Sequence, residues 1–375
     1  MFNLVEQLKQ KNISLEEAAK KSGLSVARLK DIADGKEFSL HELRVLSKKL
    51  LIPLSDFMSN PPKEPEIEVL FRKTLNRENE KDQPIIYSLS KEVANVIELA
   101  SGLPPNVAWI DMLQKTLPDN SDIEQLTQFF RALFCDGDQE GPLNSLPEIV
   151  SERLDVTLLV VPNLPVEGAS VRYENQAFIF IAPRKFQPRM LFTLAHEVGH
   201  FVAGHHGNTE NFATFDSDTE LLPWRKQKRH AEEFANHFAS ALLLPASSVG
   251  KVLKSIRKTY QLEGELGDIE ISYLARFFGV SFEVAGRRCE NLGLLPDFGA
   301  RVLYERVCEE YKNPERRADD AGLPRRTNIT FLPPRRLIHA ASRRIKAGEI
   351  STGRVSETLH VSLADLFSAN AESEG

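Results

Sequence analysis

Leu191–His206 reads LFTLAHEVGHFVAGHH, and the spacing of its histidines decides how the middle of the chain folds. At ~100° per residue, His196 and His200 lie within about 40° of each other on one helix face. Leu191, Leu194, Val198, Phe201 and Val202 fall on the opposite side, so the helix has a core face and a separate ligand face. Two imidazoles one turn apart can both reach a tetrahedral zinc ion at ~2.0–2.1 Å. Glu197, beside them, can hold a water and take its proton as that water attacks a carbonyl. The plainer reading is a buried helix that happens to carry two histidines. Nine histidines in 375 residues make the spacing uncommon, and a Glu within an apolar helix needs a reason to be buried. Zn2+ is therefore the expected cofactor.

A catalytic zinc wants a third protein ligand. His206 completes H-E-x-x-H-x-x-G-x-x-H except that Ala203 stands where Gly is required. That pattern also needs a downstream methionine, and Met1, Met58, Met112 and Met190 all precede the motif. Gly204 adjoins the first mismatch, and the metzincin reading fails on the second. The second source is His230–Leu244, HAEEFANHFASALLL, expected as a helix over roughly 229–244. Glu232 and Asn236 lie one turn apart there. An Asn at i+4 can accept a hydrogen bond from a ligating imidazole and fix its tautomer. Glu233, with His237 at its i+4, is the rival. The hydrogen-bonding argument favours Glu232 as ligand and Asn236 as its supporting residue.

The text FTLAHEVGHFV, followed by E-x-x-A-N-x-F-A-x-x-L-L-x-P from Glu232 to Pro245, resembles the ImmA/IrrE family of zinc metallopeptidases. The likeness is specific over about 168–245 and softer to 296. It implies a zincin-like fold with Glu232 as third ligand. It also implies a cleft-edge strand that pairs with extended substrate; Ala177–Ile181 or its hairpin partner is expected there. Leu244 stands where the family usually has Met, a conservative core swap. The loop 207–228 looks long and is expected to be a lid or specificity loop. Oxyanion stabilisation has several candidates, His205, His206, His230, His237 and Tyr173.

Outward from this centre, Leu154–Pro162 and Ala177–Ile181 are β-rich runs, with Ser170–Arg172 expected to pair across Glu174-Asn175. Residues 61–140 read as a helical connector without chemistry. In residues 1–60, Ser14/Glu17 and Ser39/Glu42 are capping boxes and Gly23-Leu24-Ser25 makes a tight turn before a helix from Val26 to about Ala33. This segment resembles the Xre/Cro-type helix-turn-helix domain, a five-helix unit. Ser25, Val26, Ala27, Arg28, Lys30 and Lys36 are its candidate DNA contacts. Ten Lys/Arg against eight Asp/Glu leave residues 1–60 at only +2, so a protein-docking module of the same fold is the alternative. The cadence recurs at Ala275–Ser281 and Ser356–Ser362. Arg325, Arg326, Arg335, Arg336, Arg343, Arg344 and Lys346 form a cationic stretch suited to nucleic acid, an acidic partner or simple solvation.

The expected fold is α+β, mostly helical. It comprises a helix-turn-helix domain over 1–60, a helical connector over 61–140, a zincin-like metallopeptidase domain over 141–296 and a helical region over 297–375. A net charge of -6 gives no global pull toward nucleic acid. Three scattered cysteines, no signal-peptide pattern and no long apolar run point to a cytoplasmic protein without membrane contact. The expected activity is that of a zinc endopeptidase with a regulatory role. The family resemblance implies a helix-turn-helix repressor as its protein substrate. The alternative is a DNA-binding regulator whose zincin-like domain senses without cutting. Oligomeric state is not legible.

Overall fold

The computed structural model describes residues 4, 8, 13–33, 36, 38–50, 83–116, 122–137, 139–162, 164–203, 211–215 and 226–362. Among them are sixteen α-helices and four strands, a mostly helical α+β fold. The chain forms two compact units, residues 1–94 and 95–375.

In the first unit, Ser14 accepts a hydrogen bond from Glu17 N at 3.1 Å and opens α1 (Leu15–Ser22), which ends at Gly23 in the left-handed region. Ser25 Oγ accepts from Arg28 N at 3.1 Å and opens α2 (Val26–Ala33). Ser39 and Glu42 close a reciprocal box at 2.8 and 3.2 Å before α3 (Leu40–Leu50). Ala18, Leu29, Ile32, Leu43, Leu46 and Leu50 are buried with Leu4 and Leu8 in one small core. These are three helices of the expected five; residues 1–3, 5–7, 9–12, 34–35, 37 and 51–60 lie outside the described residues.

Next come α4 (Gln83–Ala100), α5 (Ala108–Thr116), α6 (Ile123–Phe134) and the short α7 (Leu146–Glu148), which continues as a π-helical turn over Ile149–Arg153. The sheet of the second unit has the order β1 (Thr157–Val160), β3 (Gln176–Ile181), β2 (Gly168–Tyr173), β4 (Phe212–Phe215). β1 and β3 are parallel, while β2 is antiparallel to both β3 and β4. The β2–β3 hairpin turns at Glu174 and Asn175, with φ of 48° and 61°. Both central residues thus take the left-handed conformation that a tight hairpin turn requires. Ala177 to Ile181 are all buried, so β3 is covered on both faces.

Against one face runs α8 (Gln187–Val202), with Pro188 in its first turn. It packs on α9 (Lys226–Leu243). Two buried arginines fix the far end of α9. Arg131 Nε donates to Leu242 O at 2.8 Å, and Arg288 Nε donates to Leu244 O at 2.9 Å. Cations on the last carbonyls of a helix satisfy orphan acceptors and oppose its dipole. Arg288 also pairs with Glu124 on α6 at 2.6 Å.

The remaining helices are α10 (Ala246–Tyr260), α11 (Asp268–Phe277), α12 (Phe282–Asn291), α13 (Gly299–Tyr311), α14 (Pro314–Asp320), α15 (Arg335–Lys346) and α16 (Thr352–Leu359). Ser281 Oγ caps α12 through Val284 N at 3.2 Å, which repeats the helix, turn and serine cap of α1–α2. The stretch between α14 and α15 is extended and pinned. Gln187 exchanges two hydrogen bonds with the Ile329 backbone at 3.0 Å. Arg326 donates to the Ala275 and Val280 carbonyls and pairs with Glu315. Arg336 pairs with Asp155, and Arg344 donates to Glu98 O. Three cations of the Arg-rich stretch are therefore taken up by the fold itself, leaving less charge there for an acidic partner than the sequence suggested. No helix among the described residues is long and apolar enough to cross a membrane.

Candidate metal centre

His196 and His200 project from α8 toward Glu232 on α9. Their Nε2 atoms lie 2.9 Å apart, and Glu232 Oε2 is 3.3 Å from the first and 3.6 Å from the second. Ligands of a tetrahedral zinc with bonds of ~2.0–2.1 Å stand about 3.3–3.4 Å apart. The observed triangle brackets that edge, so these three atoms can hold a metal ion. Two imidazoles and a carboxylate with a fourth position left over are the donor set of a hydrolytic zinc.

His196 and His200 are each only 3% exposed. Asn236 Oδ1 lies 3.1 Å from His196 Nδ1. An amide oxygen only accepts, so His196 carries its proton on Nδ1 and turns the Nε2 lone pair toward the centre. Burial alone would raise the Glu232 carboxyl. The neighbouring imidazoles of His196 and His200, which hydrogen-bond to it and bear charge only when both ring nitrogens are protonated, outweigh burial in that state and hold the group well below the ordinary carboxylate range. Glu233 is exposed and faces His230 at 3.8 Å. The difference is one of helical phase: a step of ~100° carries the side chain out of the cleft.

Glu197 is completely buried, and Ser170 Oγ donates to its Oε2 at 2.6 Å. Ser170 sits mid-strand on β2, opposite Ile179 and Thr214. Gly168 and Arg172 share its face of the strand; Tyr173 falls on the other. That placement turns Tyr173 away from the α8 side. Of the other oxyanion candidates, His230 is exposed and His237 half-buried, while His205 and His206 lie outside the described residues. Ser170 and Gly168 went unnoticed in the sequence, where a serine within a β-rich run carries no signal of contact with a helix 27 residues away.

The expected cleft-edge strand is corrected. Both β3 and its hairpin partner β2 are interior, and β4 takes the edge beside β2. The reason lies inside the stretch 207–228, where Phe212–Phe215 adds a strand; residues 207–210 and 216–225 of the expected lid or specificity loop lie outside the described residues. Phe212 carries this strand into the core, its ring centroid 5.3 Å from that of Phe201. The connector contributes packing, because α5 supports the end of α8. Gln114 Nε2 donates to Phe201 O at 2.9 Å, and the Trp109 ring meets Phe201 edge-on at 6.0 Å.

The candidate DNA contacts sit at the start of α2 and beyond it. Ala27 and Lys30 are exposed, Val26 is half-buried, and Ser25 is occupied as a helix cap. Arg28 makes a two-pronged pair with Glu42 at 2.7 and 3.1 Å, and Lys36 pairs with Asp31 at 2.6 Å.

No curated protein matches the chain. Residues 151–290, which include the whole sheet and both ligand-bearing helices, match the family model of peptidase family M78, the IrrE N-terminal-like domain.

Proposed function

We propose that the chain is a zinc-dependent endopeptidase with a regulatory role, its metal held by His196, His200 and Glu232 and its general base Glu197. The observation that carries the reading is the convergence of three ligand atoms within 4.8 Å of one another, beside a fully buried carboxylate. When bound, zinc supplies the Lewis acid that polarises the scissile carbonyl and acidifies the attacking water. Glu197 accepts the proton that water gives up as its oxygen bonds to the carbonyl carbon. The same carboxyl then hands that proton to the amide nitrogen as the C–N bond breaks, which returns Glu197 to its ionised form. Asn236 holds the His196 tautomer throughout. The substrate is a protein, and a helix-turn-helix repressor is the class that the family resemblance favours.

Residues 1–60 form the docking module in this proposal. Their net charge of +2 and the engagement of Arg28 and Lys36 in ion pairs favour a protein partner, with Ala27 and Lys30 left for any DNA contact. The rival reading, a DNA-binding regulator with a non-cutting zincin-like domain, predicts that Glu197→Gln changes no activity. On the peptidase reading Glu197→Gln keeps zinc and loses proteolysis of a repressor substrate by at least about 100-fold, the lower end of a general base's contribution. Operator binding by the same variant, unchanged while wild type cleaves nothing, would support the rival.

A further inference from the structure

Glu197 is a carboxylate with 0% exposure, and a buried charge needs partners that face it. One is Ser170, whose hydroxyl donates to Oε2 at 2.6 Å, within the short range of O–H···O⁻ bonds. The other oxygen is placed by an absence. A Cβ built on Gly168 would fall on Glu197 Oε1 and would stand 2.6 Å from Thr193 Cγ2 and 3.1 Å from Glu197 Cδ. Only glycine leaves that space, so Oε1 lies where any other residue at 168 would put its side chain. Gly168 and Ser170 are i and i+2 on β2 and therefore face the same way. Their strand is hydrogen-bonded on both sides, to β3 and to β4, which makes it a rigid mount.

On the peptidase reading above, we propose that Gly168 and Ser170 are positioning residues that together fix the Glu197 carboxylate. Ser170 holds one oxygen by a hydrogen bond, and Gly168 admits the other by having no side chain. Neither touches the metal ligands in any contact described. An ordinary buried strand serine meets its hydrogen-bonding need on nearby backbone; this one spends its proton on a carboxylate from another element. An ordinary strand glycine weakens its strand; this one sits where its lack of a Cβ has a defined beneficiary.

The test uses the full-length zinc-loaded protein and acetohydroxamic acid as a probe. This acid binds zinc as its anion, and a carboxylate within hydrogen-bond reach can take up its proton and hold the bound anion by the resulting hydrogen bond. Calorimetric affinity therefore reads the placement of Glu197 without any substrate. Ser170→Ala and Gly168→Ala are each expected to keep one zinc per chain and to weaken acetohydroxamate by about 10-fold or more, the scale of disturbed supporting contacts. Wild-type affinity in both variants, with zinc retained, would overturn the proposal. If Gly168→Ala does not fold, Ser170→Ala alone decides, since it removes one oxygen and adds no bulk. Failure of the wild-type protein to hold zinc is a separate result that removes the peptidase reading itself.

Discussion

Gly199, inside the histidine motif, lies directly over Ala235 of the partner helix. A Cβ at 199 would stand 3.0 Å from Ala235 Cα and 3.3 Å from Ala235 O. Backbone cannot yield as a flexible side chain can, so the helices α8 and α9 meet as closely as they do because residue 199 has no side chain. A glycine within a helix costs about 1 kcal/mol relative to alanine, and here closer packing offsets it. Glu232 is on α9 while His196 and His200 are on α8, so the metal triangle depends on this spacing. Gly199→Ala should lower zinc affinity by at least about 10-fold through altered ligand geometry, although alanine is the better helix former. Competition against a chelator of known affinity measures it, and unchanged zinc affinity would show that the crossing does not set the site.

The two neighbouring glutamates make a sharper comparison. Glu232 stands within 3.6 Å of both imidazoles, whereas Glu233 is exposed and lies 3.8 Å from His230. Glu232→Ala should release the metal at micromolar protein, and Glu233→Ala should retain it. Asn236→Ala should fall between them, about 10–100-fold weaker, because it frees the His196 ring without removing a ligand. Metal content after gel filtration orders the three variants. Loss of zinc from Glu233→Ala with retention in Glu232→Ala would reverse the assignment.

What could be read in the sequence was the local part of this site. His196, Glu197 and His200 are set by one turn of helix, and the i, i+4 relation of Glu232 to Asn236 is equally local. The serine cap at Ser14, the capping box at Ser39 and the turn at Glu174-Asn175 are also local chemistry, and they were legible for the same reason; at Ser14 only half of the expected box forms, because the Glu17 carboxylate pairs with Lys21 instead. Contacts between distant elements were not. Nothing in SVRY marks Ser170 as the donor to Glu197, because the pairing depends on the sheet register and on how α8 crosses it. The β4 strand hid in a stretch of mixed polarity, where four residues of FATF look like any loop. The arginines of the C-terminal stretch were legible as charge but not as clamps, since Asp155 and Glu98, which meet Arg336 and Arg344, are remote in sequence.

Arg288 illustrates a structural role that charge counting misses. It is 1% exposed and spans Leu244 O and Glu124, tying α9 to α6. Arg288→Met keeps most of the apolar stem but leaves a carbonyl and a carboxylate without their donor. Removal of one partner of a fully buried pair costs about 3–5 kcal/mol. The Glu124 side chain is 22% exposed and can recover part of its hydration, so a loss of about 2–3 kcal/mol is expected. Urea unfolding monitored on the metal-free protein tests it; a loss below about 0.5 kcal/mol, the range of ordinary surface changes, would mean the clamp is incidental.

Arg28 and Glu42 give the first unit a pH dependence whose sign can be worked out. The Arg28 guanidinium, first by hydrogen bonding, and Ser39, by its backbone and hydroxyl, pull the Glu42 carboxyl from 4.5 down to about 2. A carboxyl depressed in the folded state stabilises the fold above its unfolded value and loses that contribution as pH falls through the folded one. The window is therefore from about 4.5 down to about 2. Arg28→Met should reduce amide protection in α3 at neutral pH, and its deficit against wild type should shrink across that window as Glu42 becomes protonated in both. Hydrogen exchange of the full chain at several pH values reads the difference. A deficit that is constant from pH 7 to pH 2 would place the effect of Arg28 in packing of its stem rather than in its charge.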